Sequence, residues 1–209
     1  MLALLQIDSS PRAASVSSRL AAAFVEKWKR QNPGGTVFRH NTSLECFPYL
    51  DENAIDASFT PAAERTAAQK SALAFSDQLV DELLAADVVV LGAPMWNLSI
   101  PASLKAWIDH VVRPGRTFRV TSTGKVGLLI DRPILAIVAC GGRFDDGGPG
   151  LPQVDHLGPY LRTVFATVGL TDFELLRLEQ LRRGSGAVER GLAAAGAWIE
   201  AQRARFARG

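Results

Sequence analysis

The sequence predicts an α/β fold in which one five-stranded parallel sheet carries helices on both of its faces. Short apolar runs alternate with longer amphipathic segments, which is the pattern of repeated β-α units. The apolar runs alternate little with polar residues, as is typical of strands buried on both faces. A length of 209 residues with 47% hydrophobic and 21% charged side chains suits one core, so we expect a single domain over residues 1–209.

The first β-α-β unit is predicted over the first 40 residues. Leu2–Ile7 is an apolar run and predicts the first strand. Ser17–Gln31 predicts the first helix, because its apolar side chains recur at four-residue spacing. Residues 32–35 end that helix with an Asn-Pro-Gly-Gly sequence, and Thr36–His40 follows as the second strand.

The next unit contains the clearest strand of the chain. Residues 41–59 are expected to be irregular, since polar residues and a proline interrupt any period. Thr60 and Pro61 combine a hydroxyl cap with a proline at the first helical position, so we predict a helix from there to Ala85. Val88–Leu91 consists of four consecutive apolar residues and predicts the third strand.

The remaining elements continue the alternation. Residues 101–112 predict a helix, because apolar side chains recur at spacings of three and four, and residues 113–131 are expected to form a loop or a hairpin. Ile134–Val138 predicts the fourth strand. After it we predict a glycine-rich loop at 147–150, a helix carrying Tyr160, Leu161 and Val164, a strand at Phe173–Leu178, and a last helix carrying Val188, Leu192, Ala195 and Ile199.

Composition and charge exclude several classes of protein. The formal charge of +2 comes without a basic block, and we interpret Arg182 and Arg183 as a solvated helix face, so no nucleic acid partner is expected. No apolar stretch approaches the roughly 18 residues that cross a bilayer, so no membrane association is expected. Cys46 and Cys140 form neither a CxxC pair nor part of a metal-ligand cluster, which predicts no metal site, no disulfide framework and a cytoplasmic location.

Ligands of an open parallel sheet bind beyond the carboxyl ends of its strands, and the segment after the first strand is rich in serine. Residues 8–19 offer hydroxyls and free N–H groups at a helix N-terminus, which together favour an anion. The segment lacks both the P-loop pattern and the dinucleotide pattern GxGxxG, which indicates the terminal phosphate of a mononucleotide. Simple helix capping by Ser15 or Ser17 is an equally good interpretation.

Two further segments follow the third and fourth strands. Residues 93–101 contain bulky apolar side chains and an asparagine, which suit a planar ring, although Trp96 fits a core or an interface equally well. Gly141 and Gly142 allow the backbone to approach a planar ligand closely, or form an ordinary turn. A phosphate site, a ring face and a ring edge together outline flavin mononucleotide (FMN).

Seven segments match, in order, the pattern of one enzyme family. They are Ser9-Ser10-Pro11-Arg12 with Ser15-Val16-Ser17, Ala93–Leu98, Leu104–Asp109, Thr117–Arg119, Gly127–Leu129, Pro159–Leu161 and Val168–Asp172. The chain thus resembles the FMN-dependent NADH-azoreductases, also described as FMN-dependent NADH:quinone oxidoreductases, over nearly its whole length. The turn that starts at Ala93 is the most specific of these segments.

The resemblance implies a flavodoxin-like subunit and a homodimer with two non-covalent FMN sites at its interface. The phosphate-binding positions of the family fall on Ser10, Ser15, Val16 and Ser17. Its isoalloxazine contacts fall on Met95, Trp96, Asn97, Leu98, Ala139, Cys140, Gly141 and Gly142. Trp96 and Phe118 are candidates for stacking on an aromatic acceptor, with a core role as the alternative. Ala139-Cys140 and the glycine-rich segment 143–153 differ from many relatives where an acceptor would stack.

The implied activity is two-electron transfer from NADH or NADPH to quinones and azo compounds by a ping-pong mechanism. FMN carries that chemistry, so no catalytic side chain is expected. We interpret His40, His110 and His156 as structural or surface residues. The alternatives are a flavodoxin-type electron carrier, which a pI of about 8.7 disfavours, a general NAD(P)H:FMN reductase, and a regulatory module without a cofactor.

Overall fold

The computed structural model describes residues 2–144 and 154–181, with the single positions 186, 189, 193, 196, 197 and 200. The described elements are, in chain order, β1 (Ala3–Asp8), α1 (Val16–Gln31), β2 (Thr36–Asn41), α2 (Glu52–Phe59), α3 (Ala67–Ala85), β3 (Val88–Pro94), α4 (Ala102–Val111), β4 (Phe118–Thr121), β5 (Gly124–Gly127), β6 (Ile134–Ala139), α5 (Leu157–Thr167) and β7 (Phe173–Leu178).

The predicted five-stranded parallel sheet is confirmed, in the order β2-β1-β3-β6-β7. Asp8 at the end of β1 is level with Asn41 on β2 and with Gly92 on β3. The chain runs outward from β1 to β2 and then returns to β3 on the other side of β1. This reversal of strand order makes a crevice beyond the carboxyl ends of β1 and β3, where open sheets bind ligands.

Two hydrophobic clusters cover the two faces of the sheet, as predicted. On one face, Leu20, Phe24 and Trp28 of α1 pack against Val90 and Ile137. On the other face, α3, α4 and α5 contribute Leu79, Leu83, Leu104, Trp107, Leu161 and Phe165. Full burial of one such side chain stabilises the fold by about 2 kcal/mol. The two clusters therefore hold the sheet rigidly, and the loops at its carboxyl edge start from fixed positions.

The prediction for residues 41–66 is wrong in two respects. Part of the segment expected to be irregular is helix α2, which is capped by Asp51 through an N–H···O bond of 2.8 Å from Ala54. Thr60 ends that helix instead of starting the next one. Helix α3 begins six residues later, because Thr66 and Gln69 form a complete capping box there.

Residues 113–131 contain a hairpin, one of the two predicted alternatives, formed by β4 and β5. Phe118 pairs with Gly127 in the hairpin, and its ring is only 6% exposed. The base of the hairpin is fastened to the end of α4, because the Arg113 N–H donates to Thr117 Oγ1 over 2.8 Å.

Several predictions lie outside the described residues. These are the glycine-rich loop at 147–150, the solvated face at Arg182 and Arg183, and the last-helix positions Val188, Leu192, Ala195 and Ile199. Among the residues that the structure does describe, no helix is both long and apolar enough to cross a bilayer. The same residues contain no group of three or more histidine, cysteine, aspartate or glutamate side chains able to hold a metal ion.

Candidate functional site

The segment Ser9–Ser15, here called the serine loop, joins β1 to α1 at the crevice. The side chains of Ser9, Ser10, Ser15 and Ser17 are all buried. Ser15 is the N-cap of α1 and its Oγ accepts the Ser18 N–H over 3.3 Å, so the capping interpretation of this residue is correct. The first amides of a helix have no intrahelical acceptor, and the first turn of α1 contains no acidic residue. The loop therefore retains the donors and the dipole of an anion site.

The segment after β3 forms a tight turn, here called the ring turn (Trp96–Ser99). The N–H of each end residue donates to the carbonyl of the other over 3.0 Å. Between them, Asn97 and Leu98 have φ angles of 48° and 71°, which is the pattern of a type I′ turn. Trp96 and Leu98 remain 43% and 38% exposed, so the turn presents apolar side chains to solvent at the edge of the crevice.

The segment after β6 lies beside the ring turn. The Met95 N–H donates to Ala139 O over 2.9 Å, and Cys140 Sγ lies 4.0 Å from Met95 Sδ. The chain after β7 holds this segment from its other side, because the Gln180 N–H donates to Gly142 O over 2.9 Å. Gln180 adopts a left-handed φ of 58° there. Three separate segments thus meet at the carboxyl edge of neighbouring strands.

Known proteins that are similar to this chain show which family has this arrangement of segments. A model of the flavodoxin-like fold matches residues 3–202. The FMN-dependent NADH:quinone oxidoreductase 2 of Cupriavidus pinatubonensis is 47% identical over 196 residues, which cover 93% of this chain and 94% of that protein. The chain belongs to the FMN-dependent NADH:quinone oxidoreductase family. A second family member, from Rhizobium leguminosarum bv. trifolii, is 40% identical over 195 residues, which cover 93% of this chain and 95% of that protein.

A solved structure extends the comparison to three dimensions. The crystal structure of an azoreductase from Bacillus anthracis superposes with a TM-score of 0.82 at 29% identity, over 95% of this chain and 99% of that one. The family assignment and the flavodoxin-like fold that the sequence predicts are therefore confirmed.

The residues at the crevice have the chemistry that FMN requires. A phosphate needs donors and positive potential, which the buried serine hydroxyls and the start of α1 supply. An isoalloxazine ring needs an apolar face and a backbone that can approach its edge. The exposed ring turn and the glycines after Cys140 meet those two needs. The donor set therefore fits a phosphorylated flavin.

The carboxyl group of Asp8 directly precedes the serine loop, and no role for it was predicted from the sequence. Asp8 Oδ2 accepts a hydrogen bond of 2.7 Å from Gln6 Nε2, whereas its Oδ1 is buried without a hydrogen-bond partner. Burial raises the pKa of Asp8 to about 6. A Cβ at position 92 would collide with that Oδ1, so Gly92 leaves the space that the carboxyl group occupies. The sequence signal that could have indicated a role for Asp8 is the presence of a charged residue at the end of an apolar strand.

The left-handed φ of Leu98 predicts how a glycine at that position would change stability and FMN binding. A leucine at positive φ is strained by about 1–2 kcal/mol, and glycine relieves that strain at a cost of about 0.5–1 kcal/mol in unfolded-chain entropy. Leu98→Gly also creates the Asn-Gly pair that type I′ turns prefer. We expect its flavin-free form to be more stable than wild type by about 0.5–1 kcal/mol in urea unfolding, and its FMN affinity to fall. Leu98→Ala keeps the strained φ, so equal stabilisation of both variants would contradict this explanation.

Asp155 and the backbone of His156 connect the start of α5 to β7 and to the ring turn, and these contacts were not predicted from the sequence. Asp155 Oδ1 accepts the N–H of Leu157 over 2.8 Å at the start of α5, and its Oδ2 pairs with Arg177. The His156 N–H donates to Leu98 O over 3.0 Å, so the ring turn is tied to the start of α5. The contacts of Asp155 with Arg177 and of His156 with Leu98 join residues distant in sequence, so no local pattern predicts them.

Two of the histidine side chains make structural contacts and the third is exposed, which supports their interpretation as structural or surface residues. His40 lies between Glu45 and Glu82 at 2.9 and 2.5 Å; burial lowers its pKa, but the two carboxylates outweigh that effect and raise it. His110 Nε2 lies 2.8 Å from Pro48 O, and burial lowers its pKa. His156 is exposed at the start of α5.

Cys140 lies against Met95 next to the ring turn, and its environment predicts an unreactive thiol. The residue is 1% exposed, and burial raises its pKa to about 12, so almost no thiolate forms near pH 8. Cys46 is exposed. We expect native protein to titrate one fast thiol per chain with Ellman's reagent and two after unfolding. Cys46→Ser should abolish the fast reaction, and two fast thiols in native protein would contradict the buried environment of Cys140.

Proposed function

We propose that this protein binds FMN non-covalently and uses it to transfer electron pairs from NADH to quinones and aromatic azo compounds. When bound, FMN would supply the two-electron chemistry between a reduced nicotinamide and an organic acceptor, and the protein would hold and orient it. The observation that carries the proposal is the meeting of a serine-rich anion site and an apolar ring site at one switch point of the sheet. Relatives at 40–47% identity named as FMN-dependent NADH:quinone oxidoreductases support it.

We propose the following division of the cofactor contacts. Ser10, Ser15, Val16 and Ser17 bind the phosphate through hydroxyls and first-turn amides of α1, which the burial of the three serines and the position of Val16 at the start of α1 support. The ring turn and the segment after β6 bind the isoalloxazine, through Met95, Trp96, Asn97, Leu98, Ala139, Cys140, Gly141 and Gly142.

The protein's part at the ring is to position and shield, without proton transfer from a side chain. Cys140 is the one ionisable side chain among the eight proposed ring contacts, and its raised pKa and burial keep it a neutral thiol. Asn97 supplies an uncharged amide at the ring turn. Protons for the acceptor therefore come from solvent in this proposal.

Donor and acceptor are proposed to use the same open face in turn, as a ping-pong mechanism requires. Trp96 is an exposed residue of the ring turn and suits stacking on an aromatic acceptor. Phe118, the other candidate, is buried within this chain and fits the alternative core role. Initial rates measured at several quinone concentrations should give parallel double-reciprocal lines against NADH, while intersecting lines would indicate a ternary complex.

A homodimer is proposed from the apolar surface of the hairpin region. Val120 and Ile130 are 70% and 82% exposed, and Val126 and Leu128 are exposed near them in sequence. Clustered exposed apolar side chains mark interaction surfaces, and a second copy of the chain would cover these. A cytoplasmic location is proposed because both cysteines are free thiols. The organisation of all 209 residues as one domain stays a prediction.

Spectroscopy and rapid kinetics test the proposed activity. We expect purified protein to be yellow, or to quench added FMN fluorescence, and NADH to reduce the bound flavin within seconds in stopped flow. Menadione or an azo dye should then reoxidise it, and NADPH in place of NADH gives the donor preference. Colourless protein that does not bind FMN would refute the proposal. Bound flavin that NADH does not reduce would favour an electron carrier, and flavin released on reduction would favour an FMN reductase.

A further inference from the structure

Three hydroxyl groups connect the serine loop to the start of helix α4. Thr42 and Ser43 directly follow β2, and Ser103 lies in the first turn of α4. Thr42 Oγ1 donates to Ser103 Oγ over 3.2 Å, and Ser103 Oγ lies 3.0 Å from Ser43 Oγ. Ser43 Oγ donates to Ser9 O over 2.8 Å. The series, here called the hydroxyl chain, ends on the backbone of the serine loop.

The number of protons available shows which hydroxyl donates in each hydrogen bond of the hydroxyl chain. Each hydroxyl has one proton to donate. Ser43 uses its proton on Ser9 O and Thr42 uses its proton on Ser103, so the bond between Ser103 and Ser43 must use the proton of Ser103. All three bonds then run toward Ser9, and such aligned bonds strengthen one another.

The hydroxyl chain joins the two halves of the proposed cofactor site. On one side, the serine loop is fixed to β3, because the Ser9 N–H and hydroxyl both donate to Gly92 O. On the other side, α4 begins three residues after the ring turn ends. Asn41 adds a weak parallel contact, with its Nδ2 3.5 Å from Ser10 O. The distance between the phosphate site and the ring site thus depends on side chains that follow β2.

We infer that Ser43 and Ser103 are positioning residues that hold the serine loop at a fixed distance from the start of α4 and thereby set the preference for FMN over riboflavin. This inference rests on the proposed FMN function. Neither residue is among the proposed FMN contacts, and they act through the carbonyl of Ser9. Loss of the hydroxyl chain displaces a loop that binds the phosphate, so it weakens a phosphorylated flavin selectively. Riboflavin, which has no phosphate, does not depend on that loop.

The test compares the affinities of apoprotein for FMN and for riboflavin by fluorescence quenching. We expect Ser43→Ala to weaken FMN binding about fivefold, the factor that corresponds to one hydrogen bond, and riboflavin binding less than twofold. Ser103→Ala should weaken FMN binding in the same selective way but by a smaller factor, because the bond from Ser43 Oγ to Ser9 O remains while its connection to α4 is lost. Ser43→Thr keeps the hydroxyl and should restore the wild-type ratio of the two affinities.

Thr167→Val is the matched control, because it removes a hydroxyl that donates to Thr163 O over 2.9 Å at the far end of α5. It should leave both affinities unchanged. Equal loss of FMN and riboflavin affinity in Ser43→Ala, or no loss of either, would overturn the inference. A wild-type protein that binds neither flavin would instead refute the proposed function, so the two failures are distinguishable.

Discussion

Replacement of Ser15 by aspartate is expected to weaken FMN binding about 100-fold or more. Ser15 caps α1 and lies in the proposed phosphate site, so one substitution separates the two roles. Aspartate caps a helix as well as serine does, and its charge interacts favourably with the helix dipole by about 0.3–1 kcal/mol. The nearby Asp8 opposes this gain, because Ser18 contacts both Ser15 and Asp8, so thermal unfolding of the apoprotein is measured alongside to separate folding from binding.

The loss of affinity follows from charge repulsion within the site. An aspartate at position 15 would place a carboxylate close to the FMN phosphate. Two like charges about 5 Å apart repel by about 3 kcal/mol at an effective dielectric constant of about 20, which corresponds to a factor of about 100. Titration of apoprotein with FMN at low and high salt measures the effect.

Ser15→Asn is the control, since asparagine has the shape of aspartate and caps helices equally well but carries no charge. It should retain most of the FMN affinity that Ser15→Asp loses, and riboflavin affinity should be similar in both variants. If Ser15→Asp bound FMN normally, the phosphate would lie elsewhere, and the assignment of the serine loop would be wrong.

The sequence predicts the parts of this fold that depend on local pattern. Buried parallel strands such as Val88–Pro94 are nearly continuous apolar runs, so their position and the five-stranded sheet could be predicted directly. The rule that ligands bind beyond carboxyl strand ends then selected the segments after β1, β3 and β6. The structure brings those segments together at the crevice.

The features that were not predicted from the sequence arise from competing local signals or from contacts between residues far apart in the sequence. Thr60-Pro61 is a sound helix start on its own, but the capping box of Thr66 and Gln69 satisfies two backbone donors and prevails. The bond between Ser43 and Ser103 joins residues 60 positions apart, which no local period can reveal. The left-handed φ of Leu98 also has no sequence signal, because leucine is not a residue that favours it.

Asp8→Asn is expected to stabilise the flavin-free protein by about 2–3 kcal/mol at pH 7 and by almost nothing near pH 4. Burial raises the pKa of Asp8 from 3.8 to about 6, so the folded protein binds more protons than the unfolded chain between those values. Stability therefore falls as the pH rises through this window, and the full cost is present above about pH 6. Asparagine carries no charge and avoids the cost. Urea unfolding of both proteins from pH 4 to pH 8 measures the difference.

Asp131→Asn provides a control of opposite sign. Although its slight burial opposes ionisation, hydrogen bonds from the Thr171 hydroxyl and from backbone N–H groups outweigh that effect and lower the pKa of Asp131. Its charged form therefore stabilises the fold at neutral pH, and its replacement should destabilise there. If both variants shifted stability in the same direction at pH 7, a general change in net charge would explain the result better than the environment of each carboxyl group.

The free-energy cost of ionising Asp8 is expected to change how FMN affinity depends on pH. A side chain at Gly92 would meet Asp8 Oδ1, Ser17 O and Ala21 Cβ together, so the carboxyl group lies against the first turns of α1, close to the proposed phosphate site. A bound phosphate would repel the ionised carboxylate and favour its protonated form. FMN affinity of the wild type should therefore fall more steeply between pH 6 and pH 8 than that of Asp8→Asn. Because the phosphate itself titrates in both proteins, only the difference between their pH profiles reports on Asp8, and identical profiles would show that the two charges do not interact.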